Sequence, residues 1–264
     1  MRRLLVAAIA LAALAAAPAA GAATWWKPAP GLQWQFQLSG TYDPRIAADV
    51  VEVDGLDTPA ATVAAIRAAG RVPVCYISAG SWEKWRADAA RFPKTVLGKG
   101  LDGWPGERWL DVRRTDVLLP LLRARLATCA AKGFRAVDWD NVDGYANETG
   151  FPLTAADQLR FNRALATAAH AAGLAVGLKN DLDQIPQLVS AFDWATNEQC
   201  FQYDECETLL PFPQSGKPAV VIEYDTPTDV FCPKARLLGL DAMRKKLDLG
   251  PWRQPCPRVK ESSP

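Results

Sequence analysis

Histidine is almost absent from this chain: His170 is the single one, and it lies late in a predicted helix, away from any strand end. A Ser-His-Asp or Cys-His catalytic apparatus would need that residue as its base, so both are disfavoured. The six cysteines include no C-x-x-C pair, and we expect no metal site. Neither a G-x-G-x-x-G turn nor a P-loop is present, and we expect no cofactor. The remaining basis for chemistry is a set of carboxylates.

The sequence also lacks an excess of charge and a second long apolar run. Its 30 basic and 29 acidic residues give no electrostatic case for binding nucleic acid or an anionic membrane. The one apolar run, from Leu4 to about Ala17, follows two arginines and is too short to span a membrane comfortably. It predicts a signal peptide over residues 1–23 and a secreted or periplasmic, monomeric protein without a membrane span; a retained N-terminal anchor is the alternative.

Six cysteines in an exported chain make disulfides plausible. Cys200 and Cys206 are near enough in sequence to close a small loop. Cys232 and Cys256 could tie down the C-terminal tail. Cys75 lies in an apolar strand and is interpreted as a buried thiol.

Short β-like segments alternate with helical ones, which predicts βαβ units and a parallel sheet. Eight strand candidates favour an α/β fold, a closed (β/α)8 TIM-like barrel forming one domain over residues 24–250, with a flexible tail over 251–264. The strand candidates are Gln33–Ser39, Val50–Asp54, Val72–Ser78, Trp109–Val112, Arg135–Asp140, Leu174–Lys179, Asp193–Glu198 and Ala219–Asp225. The helix candidates are Pro59–Ala69, Asp116–Lys132, Ala155–Ala172 and Leu182–Ala191. The chain after Asp225 gives no clear pattern.

The segment 135–143 places three carboxylates at the end of an apolar strand. Side chains alternate along a strand, so Asp138 and Asp140 face one side, and Val137 and Trp139 face the other. If the apolar pair is buried under helices, the two acids face the barrel interior, where a bare carboxylate is costly. This arrangement indicates an active-site strand end.

Most of the other predicted strands also end on polar side chains, and the working groups of a barrel gather at these ends. For any one of them, helix capping or loop solvation is the plainer explanation. The polar residues are Asp54, Ser78, Asp111, Asp138, Asp140, Asp143, Lys179, Asn180, Asp181, Asn197, Glu198, Glu223 and Asp225. Aromatic residues suited to sugar rings lie near the same ends, at Trp82, Trp85, Trp104, Trp109, Trp139, Trp194 and Tyr224.

Glycoside hydrolysis needs two carboxyl groups that flank one bond, an acid and a nucleophile or base. Asp140 and Glu198 are the best pair, because each closes a strand beside an amide residue. Spacing alone does not choose among these two, Asp138, Asp143 and Glu223. Asp138 could raise a neighbour's pKa or position a substrate amine.

Several motifs occur together in an order that resembles glycoside hydrolase family 114. They lie in Tyr76–Ser81, Trp109–Arg113, Val137–Asp143, Leu178–Asp181, Thr196–Cys206 and Ile222–Asp225, and the resemblance covers about residues 33 to 232. It implies a retaining endo-α-1,4-polygalactosaminidase, with Asp140 as nucleophile and Glu198 as acid/base. The implied partner is a cationic, partly deacetylated galactosamine polymer of biofilm matrix.

Further residues of the same strand ends are candidates for binding this substrate, although Lys179 could instead bridge carboxylates. They are Asp54, Tyr76, Asp138, Asp143, Lys179, Asn180, Glu223 and Asp225. Two other functions stay open: a secreted barrel that binds carbohydrate without cleaving it, and a hydrolase for a different glycan.

Overall fold

The computed structural model describes residues 24–257. The predicted signal peptide lies outside the described residues. The strands are β1 (Trp34–Gln37), β2 (Val50–Asp54), β3 (Val72–Ser78), β4 (Ser81–Glu83), β5 (Leu97–Gly100), β6 (Glu107–Leu110), β7 (Ala136–Asp140), β8 (Ala175–Lys179), β9 (Trp194–Glu198), β10 (Ala219–Glu223), β11 (Asp241–Lys245) and β12 (Arg253–Pro255). The helices are α1 (Ala60–Ala68), α2 (Thr115–Lys132), α3 (Ala155–Ala171), α4 (Ile185–Leu188), α5 (Pro211–Gln214) and α6 (Thr228–Leu238).

The main sheet is a nearly closed barrel of parallel strands. Its order is β1-β2-β3-β7-β8-β9-β10-β11, with β12 added antiparallel to β11. Helices separate most of the successive barrel strands and pack outside them. The predicted single-domain α/β barrel is confirmed. Because all eight strands run the same way, their carboxyl ends meet at one rim.

Alternation along the strands divides the core into two layers. Val137 and Trp139 are fully buried outside the barrel, in the layer under the helices. The interior layer is smaller and includes Trp34 and Trp194. Gly177 on β8 has no space for a side chain, since a Cβ there would lie 2.5 Å from Asp138 Oδ1. The missing side chain leaves room for that carboxyl group inside the barrel.

Local signals fix the ends of the long helices. Thr154 and Asp157 form a reciprocal capping box at the start of α3. Gly133 ends α2 in the left-handed conformation, with φ of 95°. The predicted helix over Leu182–Ala191 is reduced to a 3-10 turn and the short α4. His170 lies in the last turn of α3, as predicted, and its Nε2 hydrogen-bonds to Asp193 at 2.9 Å.

One predicted barrel strand is wrong. The segment Trp109–Val112 contributes to β6, which pairs with β4 and β5 in a separate antiparallel sheet, here called the insert sheet. The eighth barrel strand is β11, which the sequence did not reveal. Its charged residues, Asp241, Arg244 and Lys245, interrupt the apolar pattern that marks the other strands.

The C-terminal segment closes the seam between β1 and β11. The amides of Leu38 and Ser39 both donate to the carbonyl of Leu249, at 2.9 and 3.2 Å. Lys245 Nζ donates to the carbonyl of Gly250 at 2.6 Å. Residues 251–257 therefore do not form the predicted flexible tail, because β12 pairs with β11 and Cys256 is bonded to Cys232.

Three disulfides link all six cysteines. The predicted pairs Cys200–Cys206 and Cys232–Cys256 are confirmed. Cys75 is not a free thiol: it faces outward from β3 and bonds to Cys129 on α2, which packs over it. Among residues 24–257, every helix is too short or too polar to cross a membrane.

Candidate active site

Three neighbouring strand ends bring Asp140, Lys179 and Glu198 together. Asp140 ends β7, Glu198 ends β9, and Lys179 ends β8 between them. The buried Nζ of Lys179 lies 3.2 Å from Asp140 Oδ1 and 2.8 Å from Glu198 Oε2. The lysine therefore bridges the two carboxylates that the sequence predicts as the catalytic pair.

The bridge limits the distance between the carboxylates. Since one Nζ atom lies 3.2 Å from one oxygen and 2.8 Å from the other, those two oxygens are at most about 6 Å apart, the sum of the two distances. Retaining glycosidases place their carboxyl groups roughly 5–5.5 Å apart, and inverting enzymes about 6.5–9.5 Å. Both side chains keep partial access to solvent, with 17% of Asp140 and 22% of Glu198 exposed.

A tyrosine contacts each carboxylate from a flanking strand. The hydroxyl group of Tyr76, on β3, donates to Asp140 Oδ2 at 2.5 Å. The hydroxyl group of Tyr224, just after β10, donates to Glu198 Oε1. Each carboxylate thus accepts a hydrogen bond from a tyrosine with one oxygen and contacts Lys179 with the other.

These contacts determine the ionisation of the site. Burial alone would raise the pKa of Asp140, but Lys179 and the Tyr76 hydroxyl group outweigh it and lower that pKa. Burial alone would lower the pKa of Lys179, but the Asp140 and Glu198 carboxylates raise it well above its ordinary value. Asp140 is therefore ionised and Lys179 is charged at neutral pH.

Each of these three strand ends is followed by an amide residue in the left-handed conformation. Asn141, Asn180 and Gln199 have φ of 59°, 58° and 67°. Left-handed backbone costs free energy outside glycine and is concentrated at functional sites. The side chain of Asn180 repays part of this cost, because its Oδ1 accepts a 3.0 Å hydrogen bond from the Glu198 amide.

Two further carboxyl groups lie below the catalytic pair, inside the barrel. Glu52 on β2 and Asp138 on β7 are each 1% exposed. Burial raises the pKa of Glu52 well above its ordinary value, and the nearby Asp138 charge adds to the effect. Burial likewise raises the pKa of Asp138 to about 7, against the opposing charge of Lys179. Asp138 is thus buried in this structure, and its charge helps to raise the pKa of both Glu52 and Lys179.

The structure separates the remaining predicted residues into two groups. Asp143 and Asn180 lie beside Asp140 in one cavity. Asp54 forms an ion pair with Arg86 at 2.6 Å, and its other oxygen accepts backbone amides of the following loop.

Glu223 and Asp225 also lie apart from the catalytic pair. Glu223 faces outward from β10, is fully buried, and accepts a 2.8 Å hydrogen bond from the Phe201 amide. It supports the loop closed by the Cys200–Cys206 disulfide. Asp225 is exposed beyond the end of β10.

Two residues of the site are missing from the sequence prediction of catalytic and binding residues. Tyr224 was expected only as one of several rim aromatics, and no pattern marks its contact with Glu198. Glu52 interrupts an otherwise apolar strand, at the inward position between Val50 and Asp54. That interruption is a usable signal, because an inward carboxyl group requires a partner or a proton.

The cavity that contains Asp140 is smaller than a second cavity elsewhere on the barrel. The one at the carboxyl-end rim has a volume of about 430 Å³ and includes Asp140, Asp143 and Asn180. A larger one, of about 640 Å³, is lined by Trp34 and Asp241, near the opposite ends of the strands, and contains none of the catalytic carboxylates. The smaller cavity is therefore the candidate functional one.

Comparison with known proteins agrees with this geometry. The family model of glycoside-hydrolase family GH114 matches residues 15–261. The structure of Aspergillus fumigatus Ega3 in complex with galactosamine is 38% identical, covering 88% of this chain and 98% of that one, with a TM-score of 0.84. The glycoside hydrolase domain of PelA from Pseudomonas aeruginosa shares the fold at 17% identity, with 83% and 96% coverage and a TM-score of 0.64. No curated protein sequence matches the chain. The barrel, the family match and the similarity to Ega3 together show that this chain belongs to glycoside hydrolase family GH114.

Proposed function

We propose that this glycoside hydrolase is a retaining endo-enzyme that cleaves α-1,4-linked galactosamine polymer. The observation that carries the proposal is the pair of partly exposed carboxylates, Asp140 and Glu198, bridged by Lys179 within about 6 Å. Such a separation suits direct attack by one carboxylate, since it leaves less room than an inverting enzyme needs for its water.

Asp140 is the nucleophile in this mechanism. Its lowered pKa keeps it ionised, so an oxygen lone pair can attack the anomeric carbon as the glycosidic bond breaks. In its protonated form, Glu198 donates a proton to the departing oxygen of the leaving sugar. It then takes a proton from water, whose oxygen displaces Asp140 from the glycosyl intermediate and restores the original anomeric configuration.

The substrate assignment is supported by charge and by similarity. The cavity at the rim is lined by Asp102, Asp140, Asp143 and Glu148 against a single lysine, Lys99. Opposite charges a few Å apart attract, and more so away from bulk water. Ammonium groups of a partly deacetylated galactosamine polymer are therefore favoured over a neutral glycan. Ega3, at 38% identity, is a structure in complex with galactosamine.

Export is part of the same proposal. The predicted signal peptide and three disulfides, which persist mainly in oxidising compartments, both support a secreted or periplasmic enzyme. A polymer of an extracellular matrix would be accessible there. Mass spectrometry of the exported protein should find its first residue at Ala23 or Thr24; retention of residues 1–22 would contradict this part.

The test is an assay for new reducing ends on galactosamine polymer with the wild type, Asp140→Asn and Glu198→Gln. Each substitution should lower kcat by at least about 10³-fold while leaving the melting temperature close to that of the wild type. NMR of the first product should show the α anomer. Full activity in either variant, or a β product, would contradict the mechanism.

Two results would favour the alternatives. Retention of the polymer by the wild type without new reducing ends would indicate a barrel that only binds carbohydrate. Faster cleavage of neutral galactan or chitosan than of galactosamine polymer would indicate a hydrolase for a different glycan.

A further inference from the structure

The 430 Å³ cavity extends from Asp140 under the insert sheet, and the Proposed function gives it no role of its own. It is lined by the hairpin between β5 and β6 on one side and by the loop after β7 on the other. Its volume falls within the usual range for small-molecule sites. A cavity that opens directly onto the nucleophile can hold only part of the bound polymer.

An exposed tryptophan marks the far wall of this cavity. Trp104 lies in the turn between β5 and β6 and is 50% exposed. Trp109 on β6 also lines the cavity but is buried as part of its wall. The indole of Trp104 is thus a free aromatic face at the cavity, and aromatic faces attract ammonium groups as well as apolar ring surfaces.

Only some of the charged side chains that line the cavity form ion pairs within residues 24–257. Lys99 is paired with Glu148 at 3.1 Å. Asp140 is paired with Lys179. Asp102 and Asp143 line the same cavity, and within the described part of the chain neither forms an ion pair with a lysine or an arginine. Two carboxylates and one aromatic face are therefore available to a cationic ligand.

The position of Glu198 indicates which part of the polymer enters. Asp140 lines the cavity and Glu198 does not. The acid/base contacts the oxygen of the leaving sugar, so the leaving side of the polymer lies toward Glu198. The cavity extends from the nucleophile in the direction that the acid/base does not occupy, which is the non-reducing side of the cleaved bond.

We propose that this cavity is a sugar subsite on the non-reducing side, in which Trp104 packs against a galactosamine residue while Asp102 and Asp143 bind its ammonium group. The inference rests on the proposed function, because it assigns part of the same substrate. It adds two residues, Asp102 and Trp104, that the family motifs do not include.

The first test compares Trp104→Ala with Trp252→Ala. Trp252 is the control, since it is a tryptophan of similar exposure, 42%, that does not line the cavity. On galactosamine oligomers, Trp104→Ala should raise KM by about 3- to 30-fold, the range implied by a cation–π contact, with kcat nearly unchanged. Trp252→Ala should behave as the wild type. Equal KM values for the two variants and the wild type would overturn the subsite.

The second test examines the charge. Asp102→Asn should raise KM for fully deacetylated oligomers several-fold, because the neutral Asn side chain cannot form an ion pair with an ammonium group. KM for N-acetylated oligomers should stay unchanged, because those sugars carry no ammonium group. The effect should shrink in high salt. Asp229→Asn, an exposed position on α6 that does not line the cavity, is the control. An equal rise on both kinds of oligomer would remove the ammonium contact from the proposal.

The third test locates the subsite along the polymer. With an oligomer labelled at its reducing end, loss of a subsite on the non-reducing side should move cleavage toward the non-reducing end in Trp104→Ala. A shift toward the reducing end would place the cavity on the leaving-group side and overturn the assignment. If the wild type cleaves galactosamine oligomers and Trp104→Ala cleaves them with the same KM and at the same bonds, only the subsite proposal is contradicted. Wild type that cleaves none of them defeats the proposed function as well.

Discussion

The hydroxyl group of Tyr76, on β3, donates a 2.5 Å hydrogen bond to the Oδ2 atom of Asp140, which ends the neighbouring strand β7. A hydrogen bond to a charged acceptor stabilises the ionised form, and its free energy is commonly about 1.5–3 kcal/mol. Tyr76 therefore helps to hold Asp140 in the ionised form that the proposed mechanism requires.

Replacing Tyr76 by Phe removes this hydrogen bond and keeps the ring. We expect kcat/KM to fall about 10- to 100-fold and the acid limb of its pH profile to move to higher pH, because the pKa of Asp140 rises. Tyr203→Phe is the control, an exposed rim tyrosine with no contact to either carboxylate. An acid limb that stays in place in Tyr76→Phe would contradict this role.

Replacing Lys179 by Met leaves Asp140 and Glu198 facing each other without the buried cation. Breaking a buried ion pair typically costs about 3–5 kcal/mol, since the remaining charges lose their partner. In the wild type the lysine lowers the pKa of Asp140, so its stabilising effect is present at neutral pH and is lost as the carboxylates become protonated. Urea unfolding should show a large loss of stability at pH 7 and a smaller one at pH 2, because the lowered pKa of Asp140 keeps it ionised until the pH falls below its ordinary value. The same loss at both pH values would contradict the bridging role.

Glu52→Gln should change how stability depends on pH. The folded-state pKa of Glu52 is raised above its unfolded value of roughly 4.3, so the folded protein retains a proton that the unfolded chain releases. Stability from this group is complete below that value and falls as pH rises toward neutral. Gln has no proton to retain, so the variant should gain stability over the wild type between pH 4 and pH 7.

Thermal melting measures this gain, at about 2–4 °C for each kcal/mol. Glu207→Gln, at an exposed position, should give a difference that does not change with pH. The interpretation fails if the two variants share one pH dependence.

Gly80→Ala should disturb the carboxyl-end rim of the barrel through the backbone next to Asp140. A Cβ at Gly80 would lie 1.6 Å from the carbonyl oxygen of Asn141, the residue that follows Asp140. The backbone must shift to accept it, and overpacking of this kind costs about 1–3 kcal/mol or more. We expect lower melting temperature and lower kcat together. Gly100→Ala, where the nearest atom is 3.7 Å away, should leave the melting temperature within about 2 °C; equal melting temperatures for both variants would contradict the close packing.

Period-two alternation was enough to predict the inward Asp138 and Asp140, because a strand offers its side chains only two directions. The contact of Lys179 with both acids was one of two roles that the sequence left open, and strand order accounts for this contact. Lys179 lies on the strand between the acids, and adjacency of strands is a property of the closed sheet.

Partners that are distant in the sequence could not be predicted in the same way. Arg86 holds Asp54, which otherwise has the position of a rim residue, and nothing near Asp54 in sequence announces that arginine. Cys75 is a second case, since its partner Cys129 lies 54 residues away, on the buried face of α2 that packs against β3. Long-range pairing, rather than local pattern, separates the observed site from the predicted one.

The seam between β1 and β11 has a consequence for how the chain matures. Gln35 on β1 donates to the carbonyl of Pro251, which is 216 positions away, so the first barrel strand completes its contacts only with almost the last part of the chain. Contacts this distant form late, because their loop entropy must be overcome first. A nascent chain that stops short of residue 251 lacks this hydrogen bond, and its β1 edge remains exposed to mispairing until synthesis is nearly finished.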